Sequence, residues 1–109
     1  MIDINAFLKL EMRVGTIKEA LIFDEAKKPA YKLKIDFGPY GKKWSSAQIT
    51  NNYSIEELID RQIIAAMNLG AKKIGNFYSE VLVLGVDDDE GNVVLLEPDD
   101  NIVNGAKVN

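Results

Sequence analysis

The sequence predicts a single, mainly all-β domain over residues 1–109, built as a small closed barrel. Three observations support this: apolar residues alternate along several short segments, turn residues separate those segments, and one interior segment carries a helix-start signal. A chain of 109 residues buries about two thirds of the surface that its unfolded form exposes, which is enough for one core. No apolar run approaches the ~20 residues that cross a bilayer, so we expect no membrane insertion.

The clearest strand covers residues 31–37. Tyr31, Leu33, Ile35 and Phe37 fall on one face and charged residues on the other, which is the pattern of a half-buried strand. Turn residues follow over 38–42, and a second strand is predicted around residues 43–48, so the two form a hairpin.

A longer strand is predicted upstream, from Met12 to Phe23. Its apolar positions change parity between Val14 and Ile17, and Gly15 lies at the change. A bulge or sharp bend at Gly15 would let this strand serve two faces of a barrel.

Two short helices are predicted. Ser54 and Glu57 have the spacing of a capping box at the start of residues 55–59. Asp3 is placed to cap a first helical turn with an apolar stripe, for which the rest of the chain offers little cover. The stripe consists of Ile4, Phe7 and Leu8.

The second half of the chain contains three more candidate strands. Residues 62–69 and 81–86 are apolar and β-branched enough to be buried strands, and an acidic hairpin tip at 87–92 precedes a strand at 93–96. The tip lacks the ligand spacing of a calcium loop, so we expect no metal site there. Five strands with a helix between the third and fourth predict an oligonucleotide/oligosaccharide-binding (OB) barrel, although other small β-barrels fit the pattern nearly as well.

The chain contains neither cysteine nor histidine. It therefore offers no disulfide, thiolate nucleophile or imidazole base, and its serines have no histidine partner. We expect a binding protein rather than an enzyme, without a cofactor. The N-terminal segment carries an acid, Asp3, where a secretory signal would carry positive charge, so the expected compartment is the cytoplasm.

The net charge of −4 is unevenly distributed. Residues 1–86 hold twelve Lys and Arg against ten acids, whereas residues 87–109 hold one Lys against seven acids. Six lysines lie between residues 27 and 55, where Asp36 is the only acid. A basic binding surface is therefore possible on the first part, and simple solubilisation of exposed strands is the alternative.

Several motifs, in this order, resemble the tRNA-binding domain family, which includes appended domains of some methionyl- and tyrosyl-tRNA synthetases. They are Arg13-Val14-Gly15-Thr16-Ile17, Lys32-Leu33, Asn68-Leu69, Lys72-Lys73-Ile74-Gly75 and the segment from Ser79 to Gly85. Residues 29–38, 45–50 and 79–85 are similar to the CsaA branch, the export-related chaperones. Ser46-Ala47 and Val81-Leu82 replace the Ser-Gly and Gly-Met of members with good tRNA affinity. The resemblance to this branch implies a homodimer with a groove for peptides or unfolded preproteins, and tRNA is the alternative ligand.

The predicted ligand contacts are of two kinds. Hydrogen bonds to peptide backbone and aromatic or aliphatic contacts would serve a polypeptide, whereas cationic and stacking contacts would serve RNA. The candidate residues are Arg13, Lys32, Lys34, Ser46, Gln48, Asn68, Lys72, Lys73, Phe77 and Ser79, with Ile49, Tyr53 and Tyr78 as further peptide contacts.

A dimer interface is predicted at the two ends of the chain. Apolar residues there exceed what so small a barrel can cover, and two copies could cover each other. Packing of both ends on their own barrel is the alternative. The predicted interface residues are Ile4, Phe7, Leu8, Ile102 and Val103.

Overall fold

A five-stranded antiparallel sheet, curled into a nearly closed barrel, forms the centre of the computed structural model, which describes residues 1–109. The helices are α1 (Ile4–Lys9) and α2 (Ile55–Leu58). The strands are β1 (Met12–Ile22), β2 (Tyr31–Asp36), β3 (Lys42–Ala47), β4 (Gln62–Ala66), β5 (Lys72–Ile74), β6 (Phe77–Ser79), β7 (Leu82–Val83), β8 (Gly85–Asp87) and β9 (Val93–Leu95). The large sheet has the order β3-β2-β1-β4-β7, while β5-β6 and β8-β9 form separate hairpins. The predicted barrel, with its helix between the third and fourth strands, is confirmed.

The alternation along β2 produces the core. Leu33, Ile35 and the following Phe37 are completely buried, and the alternating Lys32, Lys34 and Asp36 lie half-buried on the outer face. A 3₁₀ turn at Gly38–Tyr40 connects β2 to β3, with which β2 pairs along its whole length. The predicted hairpin is confirmed.

β1 serves two neighbours, as predicted, but its irregularity lies elsewhere. Residues 12–16 pair with β4, residues 16–22 pair with β2, and the register shifts between Ile17 and Glu19. The predicted bulge at Gly15 is therefore misplaced. Gly15 is needed for close packing instead, because a β-carbon there would lie 2.6 Å from both Ile35 and Phe37.

The C-terminal segment runs along the part of β1 that β2 does not cover. The Val14 N–H donates to the Ala106 carbonyl (2.9 Å), and the Val14 carbonyl accepts from the Gly105 N–H (2.8 Å). The Val108 N–H donates to the Met12 carbonyl (2.8 Å). The chain end thus extends the barrel on the side opposite β4.

Both predicted helix caps are present. Ser54 and Glu57 form the two reciprocal bonds of a capping box. Hydrogen bonding to the Glu57 carboxylate, by the Ser54 backbone N–H first and the Ser54 side chain second, lowers the pKa of Glu57. The Asp3 carboxylate accepts from the Asn5 N–H (3.0 Å). None of the residues of α1 is buried, and Phe7 is the only member of its apolar stripe that the chain partly covers.

The second half of the chain departs most from the prediction. The β5-β6 hairpin was not predicted, and β4 ends at Ala66, before the predicted end at residue 69. Residues 81–86 do not form one buried strand but are divided between β7 and β8, with Leu82 and Val86 half exposed.

The acidic hairpin tip is present as predicted, between β8 and β9. The backbone N–H of Asn92, followed by the Asn52 side chain, lowers the pKa of Asp88 by donating to its carboxylate. No group of three or more acidic side chains is arranged to hold a metal ion. None of the helices has the length and apolar character that a membrane span requires.

Candidate functional site

A mainly apolar groove of about 430 Å³ opens beside the end of β3. Its walls come from β3 and the residues directly after it, from the segment that leads into β5, and from β5, the end of β6, β7 and β9. Leu69 and Leu82 are 60% and 51% exposed, so the groove presents apolar surface to solvent. The fourteen lining residues are Ser46, Ala47, Gln48, Ile49, Leu69, Gly70, Lys72, Ile74, Ser79, Val81, Leu82, Val83, Val93 and Leu95.

One wall of the groove is fixed by a short hydrogen-bond network between β3 and residues 79–81. The Ser46 N–H donates to the Ser79 hydroxyl (3.0 Å), which donates to the Val81 carbonyl (3.5 Å). The Trp44 N–H donates to the Glu80 carboxylate (3.0 Å), and the Glu80 N–H donates to the Trp44 carbonyl (2.8 Å). Ser46 and Ser79, both predicted contacts, therefore meet directly, and their role in the fold is to hold this wall.

A second cavity of about 540 Å³ adjoins the groove and is basic. Four lysines line it with a single acid, Glu25, and none of these lysines forms an ion pair within the chain. The lysines are Lys27, Lys28, Lys72 and Lys73. The groove and this lysine cavity share Ser46, Gln48, Lys72 and Ile74, so they form one continuous surface.

Phe77 lies beside that surface in an aromatic cluster. Its ring makes edge contacts with Phe23 (5.1 Å between centroids) and Trp44 (6.0 Å), and the Lys32 ammonium lies over it at 5.4 Å. Phe77 is only half-buried, and a structural role accounts for its packing.

The charges of Lys32 and Lys34 are engaged within the chain. Lys32 lies 3.7 Å from the Glu25 carboxylate, and Lys34 lies 3.5 Å from the Glu19 carboxylate. These partly exposed pairs are weak. Contact of either lysine with a ligand stays a prediction.

Arg13 and Asn68 do not line the groove or the lysine cavity. Arg13 donates to the Gly105 carbonyl (2.9 Å), pairs with Glu11 and stacks on the Tyr40 ring at 3.9 Å. Asn68 accepts from the Glu11 N–H (2.9 Å) and donates to the Lys9 carbonyl (2.8 Å). The structure therefore places Arg13 at the C-terminal segment and Asn68 at the link between α1 and β1.

The three further residues predicted to contact a peptide lie in different surroundings. Ile49 is buried in the wall of the groove, whereas Tyr78 is exposed. Tyr53 packs on the core, and its hydroxyl accepts from the Leu95 N–H (3.0 Å).

Sequence reasoning missed much of the apolar lining and half of the lysine cavity. Leu82 and Val83 were predicted only as residues of a buried strand, and Val93 and Leu95 only as strand residues. Lys27 and Lys28 were predicted only as part of a basic stretch. The Lys-Lys pairs at 27–28 and 72–73 were a visible signal, but only the fold brings them together.

The family model described as "Putative tRNA binding domain" matches residues 12–107. The chain belongs to the tRNA-binding domain family. Within this family it is similar to two solved CsaA structures. The CsaA chaperone protein from Picrophilus torridus is 55% identical, with a TM-score of 0.94 and 100% of both chains covered. The chaperone CsaA from Bacillus anthracis str. Ames is 48% identical, with a TM-score of 0.95 and 100% and 99% of the two chains covered. The chain is therefore a CsaA-like member of the tRNA-binding domain family.

A methionine–tRNA ligase of Methanocaldococcus jannaschii is 37% identical over 98% of this chain. The match covers 16% of that enzyme and lies in its non-catalytic C-terminal domain. The family resemblance is thus to a binding domain and not to a catalytic one.

Proposed function

We propose that this protein is a non-enzymatic, homodimeric, CsaA-like chaperone of the cytoplasm that holds peptides or unfolded preproteins. The observation that carries this proposal is the apolar groove, in which the exposed Leu69 and Leu82 lie beside hydrogen-bonding groups of Ser46, Gln48 and Ser79. Two relatives that match the whole chain are themselves described as chaperones, which supports the same function.

The composition of the groove suits many sequences. Apolar side chains give a binding free energy that depends on buried area and little on geometry, while a few polar groups satisfy the backbone of an extended ligand. Affinity should therefore be modest and tolerant of sequence, as holding diverse unfolded segments requires.

Leu82→Glu should abolish most of the protein's ability to keep a denatured client soluble. The substitution places a charge in the groove, where it opposes burial of an apolar client segment. The measurement is light scattering from a chemically denatured enzyme diluted into buffer with increasing amounts of protein.

Val86→Glu is the matched control, because it introduces the same charge at another exposed apolar residue. Val86 is 55% exposed on β8 and lines neither the groove nor the lysine cavity. It should protect the client as the unmodified protein does. Equal protection by the Leu82 variant, or no protection by the unmodified protein at stoichiometric excess, would contradict the proposal.

The lysine cavity supports a second candidate function, binding of tRNA. Four lysines without ion pairs offer a site for phosphates, and Tyr78 is exposed for stacking beside Lys73, whose ammonium lies 5.9 Å from its ring. The family model, and the synthetase relatives, favour the same ligand.

For tRNA, affinity should fall with salt, with a log–log slope of about 0.7 for each phosphate contacted. Lys72→Ala combined with Lys73→Ala should reduce that slope by roughly one to two. In the control variant, Lys42→Ala is combined with Lys43→Ala. Both lysines lie outside the cavity, so the slope should be nearly unchanged. Filter binding of purified tRNA from low to moderate salt measures this, and absence of binding at low salt would remove RNA as a ligand.

The homodimer is proposed from the uncovered apolar residues at the two chain ends. Ile4 and Leu8 on α1 are 65% and 57% exposed, and Val103 and Ile102 are exposed in the C-terminal segment. Phe7 is half-buried. A second copy that covers these residues would bury surface that a monomer leaves in water.

A further inference from the structure

The edge of β3 is left partly unpaired where it borders the groove. β3 is the first strand of the five-stranded sheet, so only one of its sides is paired, with β2. The backbone groups of Trp44 and the Ser46 N–H point to the other side, where Glu80 and Ser79 bind them.

Beyond Ser46 this cover ends. The Ser46 carbonyl accepts only a 3.3 Å bond from the neighbouring Ser45 hydroxyl, and the Gln48 backbone makes no hydrogen bond within the chain. Since alternate residues of an extended strand direct their polar groups to the same side, the Ser46 carbonyl and the N–H of Gln48, the residue directly after β3, continue one edge. That edge can template another strand.

The groove supplies the side-chain contacts that an added strand needs. Ser46 and Gln48 line it together with Leu69, Leu82 and Leu95, so apolar side chains of an extended segment at this edge can enter it. In a strand every second side chain points to the same face. Alternating apolar residues therefore match the groove, and the residues between them face solvent.

The positive charge of the lysine cavity beside this edge favours a ligand with an acidic side chain. Ser46 and Gln48 also line the lysine cavity, whose four lysines face a single acid. An acidic side chain at the end of the extended segment would complement them.

We propose that the edge formed by the end of β3 and the following Gln48 binds an extended polypeptide by strand addition, with alternating apolar residues in the groove and an acidic residue in the lysine cavity. The inference rests on the proposed polypeptide-binding function, and it adds the binding mode and the ligand class.

The probe is a fluorescein-labelled nine-residue peptide with alternating leucine and serine and a glutamate at each end. In two further peptides, alternate backbone amides are N-methylated, one with the leucine amides blocked and the other with the serine amides blocked. Because only one set faces β3, one methylated peptide should lose about tenfold or more in affinity, while the other binds like the parent. Fluorescence anisotropy measures the affinities.

Two more measurements test the same contact. A peptide with lysines at both ends should bind at least about tenfold more weakly than the glutamate peptide. Amide hydrogen exchange at Gln48, followed by NMR, should slow when the glutamate peptide is added.

The outcomes distinguish this inference from the function on which it rests. Strand addition is wrong, while polypeptide binding stands, if the parent peptide binds but the two methylated peptides have the same affinity as each other. The same holds if the parent peptide binds but hydrogen exchange at the Gln48 amide is unchanged. If the lysine peptide binds as well as the parent, the acidic preference is wrong. If neither the parent peptide nor a denatured client is held, the proposed function fails with it.

Discussion

Gly15→Ala is expected to lower the free energy of unfolding by about 3 kcal/mol or more. A β-carbon at Gly15 would lie 2.6 Å from the side chains of Ile35 and Phe37. Both side chains are fully buried in the barrel core, so neither can move without disturbing its neighbours. For a domain of this size the loss corresponds to a fall in melting temperature of roughly 15 °C.

Urea denaturation at a fixed protein concentration measures this loss, because the proposed dimerisation would make the apparent stability depend on concentration. Gly91→Ala, in the exposed hairpin tip, is the control: nothing lies within 4 Å of the point that its β-carbon would occupy, and only a φ of +79° opposes the substitution. It should cost about 1 kcal/mol. If Gly15→Ala costs no more than Gly91→Ala, close approach across the barrel does not explain why residue 15 is a glycine.

Leu8→Glu is expected to weaken the proposed homodimer by about 100-fold or more. Leu8 belongs to the apolar stripe of α1, which has no buried residue in the single chain. In a dimer that covers the stripe, the substitution removes an apolar contact and forces a carboxylate out of water. Sedimentation velocity over a range of concentrations measures the change.

Ala6→Glu provides the matched control, because Ala6 is exposed and lies on the side of the same helix opposite the stripe. It should leave the dimer intact. A monomeric unmodified protein at all concentrations, or equal weakening by both variants, would contradict the proposed interface.

Sequence patterns predicted the elements whose signals are local. The alternation of residues 31–37 gives β2, and the Ser54 and Glu57 spacing gives the capped α2, because each depends on neighbours within a few residues. The bulge in β1 was predicted at the wrong residue. A glycine where the apolar alternation changes parity can mark either an extra residue in the strand or a close approach of other side chains to its backbone. At Gly15 the cause is the packing of Ile35 and Phe37, which are distant in sequence.

The site was predictable only in part for a related reason. Ser46, Gln48, Lys72 and Ser79 were predicted and do meet at one surface, but Arg13 and Asn68 carry hydrogen bonds that hold the chain ends. Residues 81–86 were predicted as one buried strand because their composition is apolar throughout. Their division into β7 and β8, which exposes Leu82 at the groove, depends on pairing with β4 and β9.

The most direct test of polypeptide holding in the groove is an NMR titration of the ¹⁵N-labelled protein with a permanently unfolded polypeptide. Binding in the groove predicts amide shifts concentrated at residues such as Gln48, Leu69 and Leu82, with little change at Val86 on β8. Shifts that avoid the groove, or no shifts at millimolar client, would contradict it.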